Sequence, residues 1–211
     1  MPAKVSEAFT LRTYPYREAD LVVSFFTRDQ GRLRGIARSA RRQKNSFGSG
    51  LERLSLVNMH YHQKENVELV RLNSCDLVQS QFNLASDYAS GVALDYIAEL
   101  SEQLLPSHEP NEKYFRLLGA VLDHLQATPG IWLPITYFSL WAVRLSGFLE
   151  EMRIEEDSLA IAKEMLQKPV GQVTPRDWTK QTAQDLRRAL IHSVELHIER
   201  RLVTARALET L

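Results

Sequence analysis

Residues 21–38, Leu-Val-Val-Ser-Phe-Phe-Thr-Arg-Asp-Gln-Gly-Arg-Leu-Arg-Gly-Ile-Ala-Arg, decide the fold class. Leu21 to Thr27 is a β-branched and aromatic run, and Asp29-Gln-Gly-Arg32 behind it is a hairpin turn signal, so the return strand falls on Leu33 to Arg38. Working outward, Ala8 to Tyr14 reads as a strand before this hairpin. Leu54 to His62 and Val67 to Leu72 read as a second pair joined across Gln63-Lys-Glu-Asn66. Five short strands in about 75 residues suit a small closed or nearly closed barrel, with the OB-fold as the leading candidate.

Alternation places the charge. Arg32, Arg34 and Arg38 fall on one face of the return strand and Leu33 and Ala37 on the other, with Gly35 as a point where a bulge would shift the register. Ser39 to Gly50 then forms a basic connector, too polar to be buried. From Arg28 to Arg53 eight basic residues (Arg28, Arg32, Arg34, Arg38, Arg41, Arg42, Lys44, Arg53) face two acidic ones, Asp29 and Glu52. So one-sided a cluster calls for an external polyanion. The whole chain hides it, since Lys+Arg and Asp+Glu both total 26. Residues 1–80 hold thirteen basic and eight acidic side chains, a net of +5, and residues 81–211 thirteen and eighteen, a net of −5. That asymmetry assigns a nucleic-acid or anionic-surface contact to the first half and a different role to the second.

From Gln81 onward the period becomes helical. Tyr88, Val92, Tyr96, Leu100 and Leu104 define one buried stripe, ended by Pro106 and Pro110. Asn111 caps the next helix, whose stripe is Phe115, Leu118, Leu122 and Leu125. Pro134 fits the first turn of a third helix with Phe138, Trp141 and Leu145 inward, and a short acidic helix follows around Glu155 to Gln167. The last helix is expected from Thr182 to Leu208, with Leu186, Leu190, Val194, Ile198, Leu202 and Ala205 on one side. The expected fold is α+β in two domains, a barrel over residues 1–80 and an all-α bundle over 81–211.

Several chemistries are excluded. With Cys75 as the sole cysteine, neither an intrachain disulfide nor a cysteine-based zinc site can form. No GxxxxGK[ST] loop occurs, which argues against nucleotide hydrolysis. Phe47-Gly-Ser-Gly50 lacks the spacing of a nucleophile elbow and reads as a connector. His60 and His62 share a strand face without a third ligand nearby, and Glu150-Glu151 and Glu155-Glu156-Asp157 read as solvated. Trp132 and Trp141 read as bundle core. No catalytic constellation emerges, and no metal or other cofactor is expected. MPAKVSEAFT has no apolar core, and the apolar part of the window from Leu125 to Val143 spans about 14 residues where a bilayer needs about 20. The expected location is cytoplasmic.

Cations that neutralise phosphates release condensed counterions, and OB-type binders add aromatics on which bases stack. Tyr14, Tyr16, Phe26, Phe47 and Tyr61 lie among or beside the arginines. Phe26 reads as core, while Tyr14, Tyr16 and Phe47 are open between core and base stacking. A protein-interaction adaptor whose basic face takes an acidic protein tail, and an RNA-binding OB protein, rest on the same physics.

Thr13-Tyr-Pro-Tyr-Arg-Glu-Ala-Asp20, Phe26-Thr-Arg-Asp-Gln-Gly31, Arg34-Gly-Ile-Ala-Arg-Ser-Ala-Arg-Arg42 and Ser46-Phe-Gly48 together resemble the N-terminal domain of the RecO family, bacterial recombination mediators of the RecFOR pathway. The resemblance continues more weakly through Leu145-Ser-Gly-Phe-Leu149 and His197-Ile-Glu-Arg-Arg-Leu-Val-Thr-Ala-Arg206. It implies a non-enzymatic, nucleoid-associated protein that binds single- and double-stranded DNA and anneals complementary strands. It also implies engagement of RecR and of the acidic C-terminal tail of single-stranded-DNA-binding protein, and so help in loading RecA. On this reading Arg28, Arg32, Arg34, Arg38, Arg41, Arg42 and Lys44 contact phosphates, and Tyr14, Tyr16 or Phe47 stack on bases. Arg200, Arg201 and Arg206 beside Leu202 are the candidate tail site. Many members carry a four-cysteine zinc module after the Ser-Gly-Phe segment. Here Glu150 to Gln172 contains no cysteine, so the acidic helix must hold that region by packing.

Overall fold

Five strands close on themselves: β1 (Lys4–Tyr16), β2 (Asp20–Thr27), β3 (Gly31–Ala37), β4 (Leu56–His62) and β5 (Leu69–Gln79). The computed structural model describes residues 3–64 and 67–211, so Glu65 and Asn66 of the turn expected at Gln63-Lys-Glu-Asn66 lie outside the described residues. The spatial order β1-β2-β3-β5-β4 is antiparallel except for the β3–β5 pair, and β1 pairs with β4 to complete the barrel. This is the OB-type closure expected from five short strands. With helices following, the chain is α+β.

Strand alternation fills the interior. Val23 and Phe25 of β2, Leu33 and Ala37 of β3, Met59 and Tyr61 of β4 and Val70 and Leu72 of β5 are buried together. Gly35 makes no bulge, because β2 and β3 stay in register through the Val23–Gly35 pair. It is needed for space: a Cβ there would lie 2.7 Å from the Leu72 side chain. Register shifts fall elsewhere, in the β4–β5 pair and in β1 between Thr10 and Arg12, where Thr10 turns its hydrogen bonds to the Gly50 carbonyl and the Leu54 and Ser55 backbone.

The connector expected to be fully polar and exposed is partly buried. Asn45 accepts hydrogen bonds from the Phe47 and Gly48 amides and turns the chain inward, so that Phe47 is 3% exposed within the barrel core. A 3₁₀ turn, Gly48–Leu51, follows, and the Cys75 thiol donates to the Phe47 carbonyl. Only the stretch from Arg41 to Lys44 is exposed throughout.

The chain divides into two compact units, Met1–Asn83 with Leu105–Phe115, and Leu84–Leu104 with Arg116–Leu211. In the first unit, residues 105–115 cover part of the outer barrel wall. Phe9 and Phe26 point outward from β1 and β2, yet both are buried, because Phe115 lies 4.8 Å and 5.8 Å from their rings and Tyr114 meets Phe26 edge-on. Gly31 is fixed by the same segment. Its φ of +74° suits the turn, and a Cβ would strike the Glu109 backbone at 2.4 Å.

The helices are α1 (Phe82–Ala85), α2 (Tyr88–Leu104), α3 (Glu112–Ala127), α4 (Trp132–Leu145), α5 (Glu156–Met165), α6 (Gln184–His197) and α7 (Val203–Thr210). Asn111 caps α3 through the Tyr114 amide at 3.0 Å. In the second unit α2 packs against α4 and α7, and α4 and α5 against α6. Tyr96 and Ser139 share a buried hydrogen bond of 2.8 Å, and desolvation pushes the Tyr96 hydroxyl up to about 12. Trp132 and Trp141 are half-buried rather than inside the core, with Trp141 Nε1 donating to the Met165 carbonyl. Tyr88, expected on the α2 stripe, is exposed.

The long final helix expected from Thr182 to Leu208 is two helices. Glu199 has a φ of +55°, which breaks the path after His197. The orphan amides at the start of α7 are met by carboxylates: Glu195 accepts from Leu202, and the largely buried Glu99 accepts from Val203 and Thr204 at 3.0 and 2.8 Å. The region that lacks cysteines is held by ordinary packing. Ile161, Ala162 and Met165 of α5 are buried, and Asp185 accepts from the Glu155 amide and the Ser158 hydroxyl. Among the described residues no helix is long and apolar enough to cross a membrane.

Candidate nucleic-acid interface

The outward row of β3 is Arg32, Arg34 and Ile36, alternating with the buried Leu33, Gly35 and Ala37. Strand register extends it across the wall. Arg12 of β1 pairs with Ser24, which pairs with Arg34; Tyr14 pairs with Val22, which pairs with Ile36, which pairs with Arg71. The wall therefore carries Arg12, Tyr14, Arg34 and Arg71 together, drawn from three strands. The guanidinium carbons of Arg12 and Arg34 lie 5.2 and 5.7 Å from the centre of the Tyr14 ring, within cation–π range. Arg53 joins them from the loop before β4, its pKa lowered by burial and by the like charge of Arg12.

Residues 105–115 engage two of the expected phosphate contacts. Arg28 pairs with Glu7 at 3.0 Å and Glu112 at 3.5 Å, and lies 4.7 Å from the centre of the Phe115 ring. Arg32 donates from Nε to the Leu105 carbonyl at 2.8 Å and from Nη2 to Ser107 at 3.1 Å. Both arginines therefore fasten the segment to the wall. A cation engaged in this way has fewer donors to offer a polyanion than one without such partners.

The remaining cations sit on an anchored loop. Arg38 lies just beyond β3, and the Ser39 amide donates to Asp20 Oδ1 at 2.8 Å. The Arg41 amide donates to the Ala19 carbonyl at 3.0 Å, and Ser46 Oγ donates to the Asn73 carbonyl at 2.6 Å. Arg38, Arg41, Arg42 and Lys44 are exposed on this frame, and among the described residues none of the four has a carboxylate partner. Four uncompensated cations on a braced loop form a strong anion-attracting edge.

The aromatics separate. Phe47 is removed from the surface by its place in the barrel core, so it does not stack on bases. Tyr16 is half-buried with the Arg17 guanidinium 5.2 Å from its ring centre, and Tyr14 is half-buried as described. His60 is hydrogen-bonded to Asp76 at 2.8 Å, and among the described residues no group of three His, Cys, Asp or Glu side chains is placed to hold a metal ion. Arg12 and Arg71 were not apparent as site residues from sequence. Both lie outside the basic run, and their place on the wall follows only from strand register.

In the second unit the residues of the expected tail site do not form an apolar groove lined by cations. Leu202 is 1% exposed and offers no apolar surface, and Arg201 pairs with Glu195 at 2.6 Å, while Arg200 and Arg206 are exposed. Cations and apolar groups do meet elsewhere in this unit, in a pocket whose lining includes Trp132, Lys180, Arg187, Arg188 and Ile191 together with one carboxylate, Glu209. The Arg187 guanidinium lies 4.7 Å from the centre of the Trp132 ring and donates to Thr136 Oγ1 and to the carbonyls of Thr182 and Lys180. Burial lowers its pKa to about 10, so it remains charged at neutral pH.

Comparison with known proteins finds the family model Recombination protein O N terminal over residues 1–81 and Recombination protein O C terminal over residues 85–151. The chain is 38% identical over 243 residues to a DNA repair protein RecO of Koribacter versatilis (strain Ellin345), covering 99% of each chain. It is 32% identical over 142 residues to a DNA repair protein RecO of Anaeromyxobacter sp. (strain K), covering 67% of this chain and 56% of that one. A third similar protein, from Cutibacterium acnes, is 33% identical over 123 residues, covering 58% and 50%.

Proposed function

The chain belongs to the RecO family of DNA repair proteins, and we propose that it is a non-enzymatic mediator that binds single- and double-stranded DNA and anneals complementary strands. One observation carries the DNA reading: Arg38, Arg41, Arg42 and Lys44 stand exposed, without carboxylate partners among the described residues, on a braced loop beside the Arg12–Arg34 wall. Each phosphate neutralised there releases counterions, which favours binding without regard to base sequence. Annealing needs two strands brought together with their mutual repulsion screened, and a compact cationic edge supplies that without nucleotide or metal.

Residues 1–80 carry the DNA role in this proposal and residues 81–211 the protein contacts, with RecR and single-stranded-DNA-binding protein as partners, RecA loading as the outcome and the nucleoid as the place of action. The acidic C-terminal tail of single-stranded-DNA-binding protein is assigned to the pocket of Trp132 and the exposed Arg188 rather than to Leu202. The pocket sets the exposed Arg188 beside the half-buried Trp132 and Ile191, whereas Leu202 is buried.

The test is a titration of labelled single-stranded DNA over a salt series, followed by annealing of complementary strands without ATP. A steep negative slope of log K against log salt, together with annealing, is the expected result. Weak salt-insensitive binding with no annealing refutes the mediator reading. An acidic tail peptide bound through the basic wall in place of DNA would favour an adaptor.

A further inference from the structure

We propose that Tyr14 is a positioning residue that holds two guanidiniums for phosphate contact, and that it is not a platform for bases; the inference rests on the DNA-binding reading above. Arg12 and Arg34 sit in one register row, separated by Ser24, so their backbones are about two strand spacings, or about 10 Å, apart. Ser24 is small and fully buried, which lets the flanking side chains lie across it. Their guanidiniums nonetheless converge on one ring, at 5.2 and 5.7 Å from its centre. The wall is more crowded still because Arg53 feels the Arg12 charge.

The negative face of the Tyr14 ring attracts both guanidiniums at an outward position, where strand register places the tyrosine opposite Val22. Two guanidiniums at this ring compete with a base for its faces, and stacking is what a base-binding aromatic in an OB wall needs. The two arginines, one from β1 and one from β3, thereby become a single paired donor group. Guanidinium donors of this kind match phosphate oxygens in geometry. The wall then reads backbone rather than bases.

The experiment compares two ligands of equal length and charge, an oligo-dT strand and an abasic sugar–phosphate strand, binding the full chain over a salt series. Tyr14→Leu should weaken both ligands by the same factor, roughly five- to tenfold, while Tyr14→Phe leaves both unchanged. Arg12→Gln, at an exposed position, should weaken both equally and reduce the salt slope by about one. Tyr14→Leu added to Arg12→Gln should cost much less than it does alone, because the ring then has one cation fewer to hold. Losses confined to the oligo-dT strand would show that Tyr14 stacks on bases and would overturn the proposal, as would full additivity of the two changes. Failure of the unmodified chain to bind either ligand with a steep salt slope would instead overturn the DNA-binding reading on which it rests. Thermal melts of each variant separate misfolding from lost contact, and Arg12→Gln gives the base-versus-backbone comparison even where Tyr14→Leu does not fold.

Discussion

The Arg28 guanidinium lies 4.7 Å from the centre of the Phe115 ring while pairing with Glu7 and Glu112. Arg28 heads the basic run in sequence but serves as a fastener in space. Arg28→Ala should lower the melting temperature by a few degrees, since half-exposed ion pairs contribute about 0–1 kcal/mol and the ring contact adds a similar amount. The same change should alter the salt slope of DNA binding less than Arg42→Ala does. Paired melts and salt titrations check both expectations, and a larger slope change for Arg28 would return it to the phosphate contacts.

Removing charge from the loop should act on binding and not on folding. Arg38→Gln, Arg41→Gln and Arg42→Gln combined should reduce the slope of log K against log salt by about two to three, with melting nearly unchanged. Annealing rates should fall in parallel. A slope identical to that of the unmodified chain would place the DNA elsewhere.

Phe47 makes the opposite prediction. Its ring is 3% exposed in the barrel core, so Phe47→Ala should cost about 3–5 kcal/mol in denaturant unfolding. Phe47→Leu should cost less and bind DNA normally. A Phe47→Leu variant of full stability that loses affinity for DNA would contradict its burial.

Glu164 gives a pH test. Hydrogen bonds from Lys168 and then from Thr174 lower its pKa to about 2 from an ordinary 4.5. A carboxylate depressed on folding stabilises fully above its unfolded pKa and loses that contribution as pH falls through the folded one. Stability should therefore drop between about pH 4.5 and pH 2, and Glu164→Gln should abolish that part of the drop. Unfolding curves at pH 7 and pH 3 are the measurement: the variant should be the less stable at pH 7 and the gap should narrow at pH 3.

Glu99 holds the start of α7 through the amides of Val203 and Thr204. Glu99→Ala should cost about 1–2 kcal/mol, comparable to losing a helix cap. Hydrogen exchange should speed up selectively over residues 203–208. Unchanged protection there would show that α7 stands without the carboxylate.

Much of this architecture is legible along the chain because it is local. The alternation Arg32-Leu33-Arg34 already specifies one wet and one dry face of β3, and Asn111 announces α3. What escapes is set by distant partners. Phe26 reads correctly as buried, but its cover is Tyr114 and Phe115, which are nearly ninety residues away. The stripe Val194, Ile198, Leu202 and Ala205 continues at helical spacing through a real break, since the cap that starts α7 comes from Glu99. Arg12 stands alone in sequence and becomes part of the interface only when β1, β2 and β3 align.

The barrel wall is finished by a segment synthesised well after its fifth strand. A chain emerging from the ribosome has all five strands by Gln79, but must wait for Phe115 before Phe9 and Phe26 are sheltered. Until then the nascent barrel displays an aromatic stripe beside its arginines. A fragment that stops at residue 80 keeps that stripe permanently bare, and self-association rather than tidy DNA binding is its expected fate.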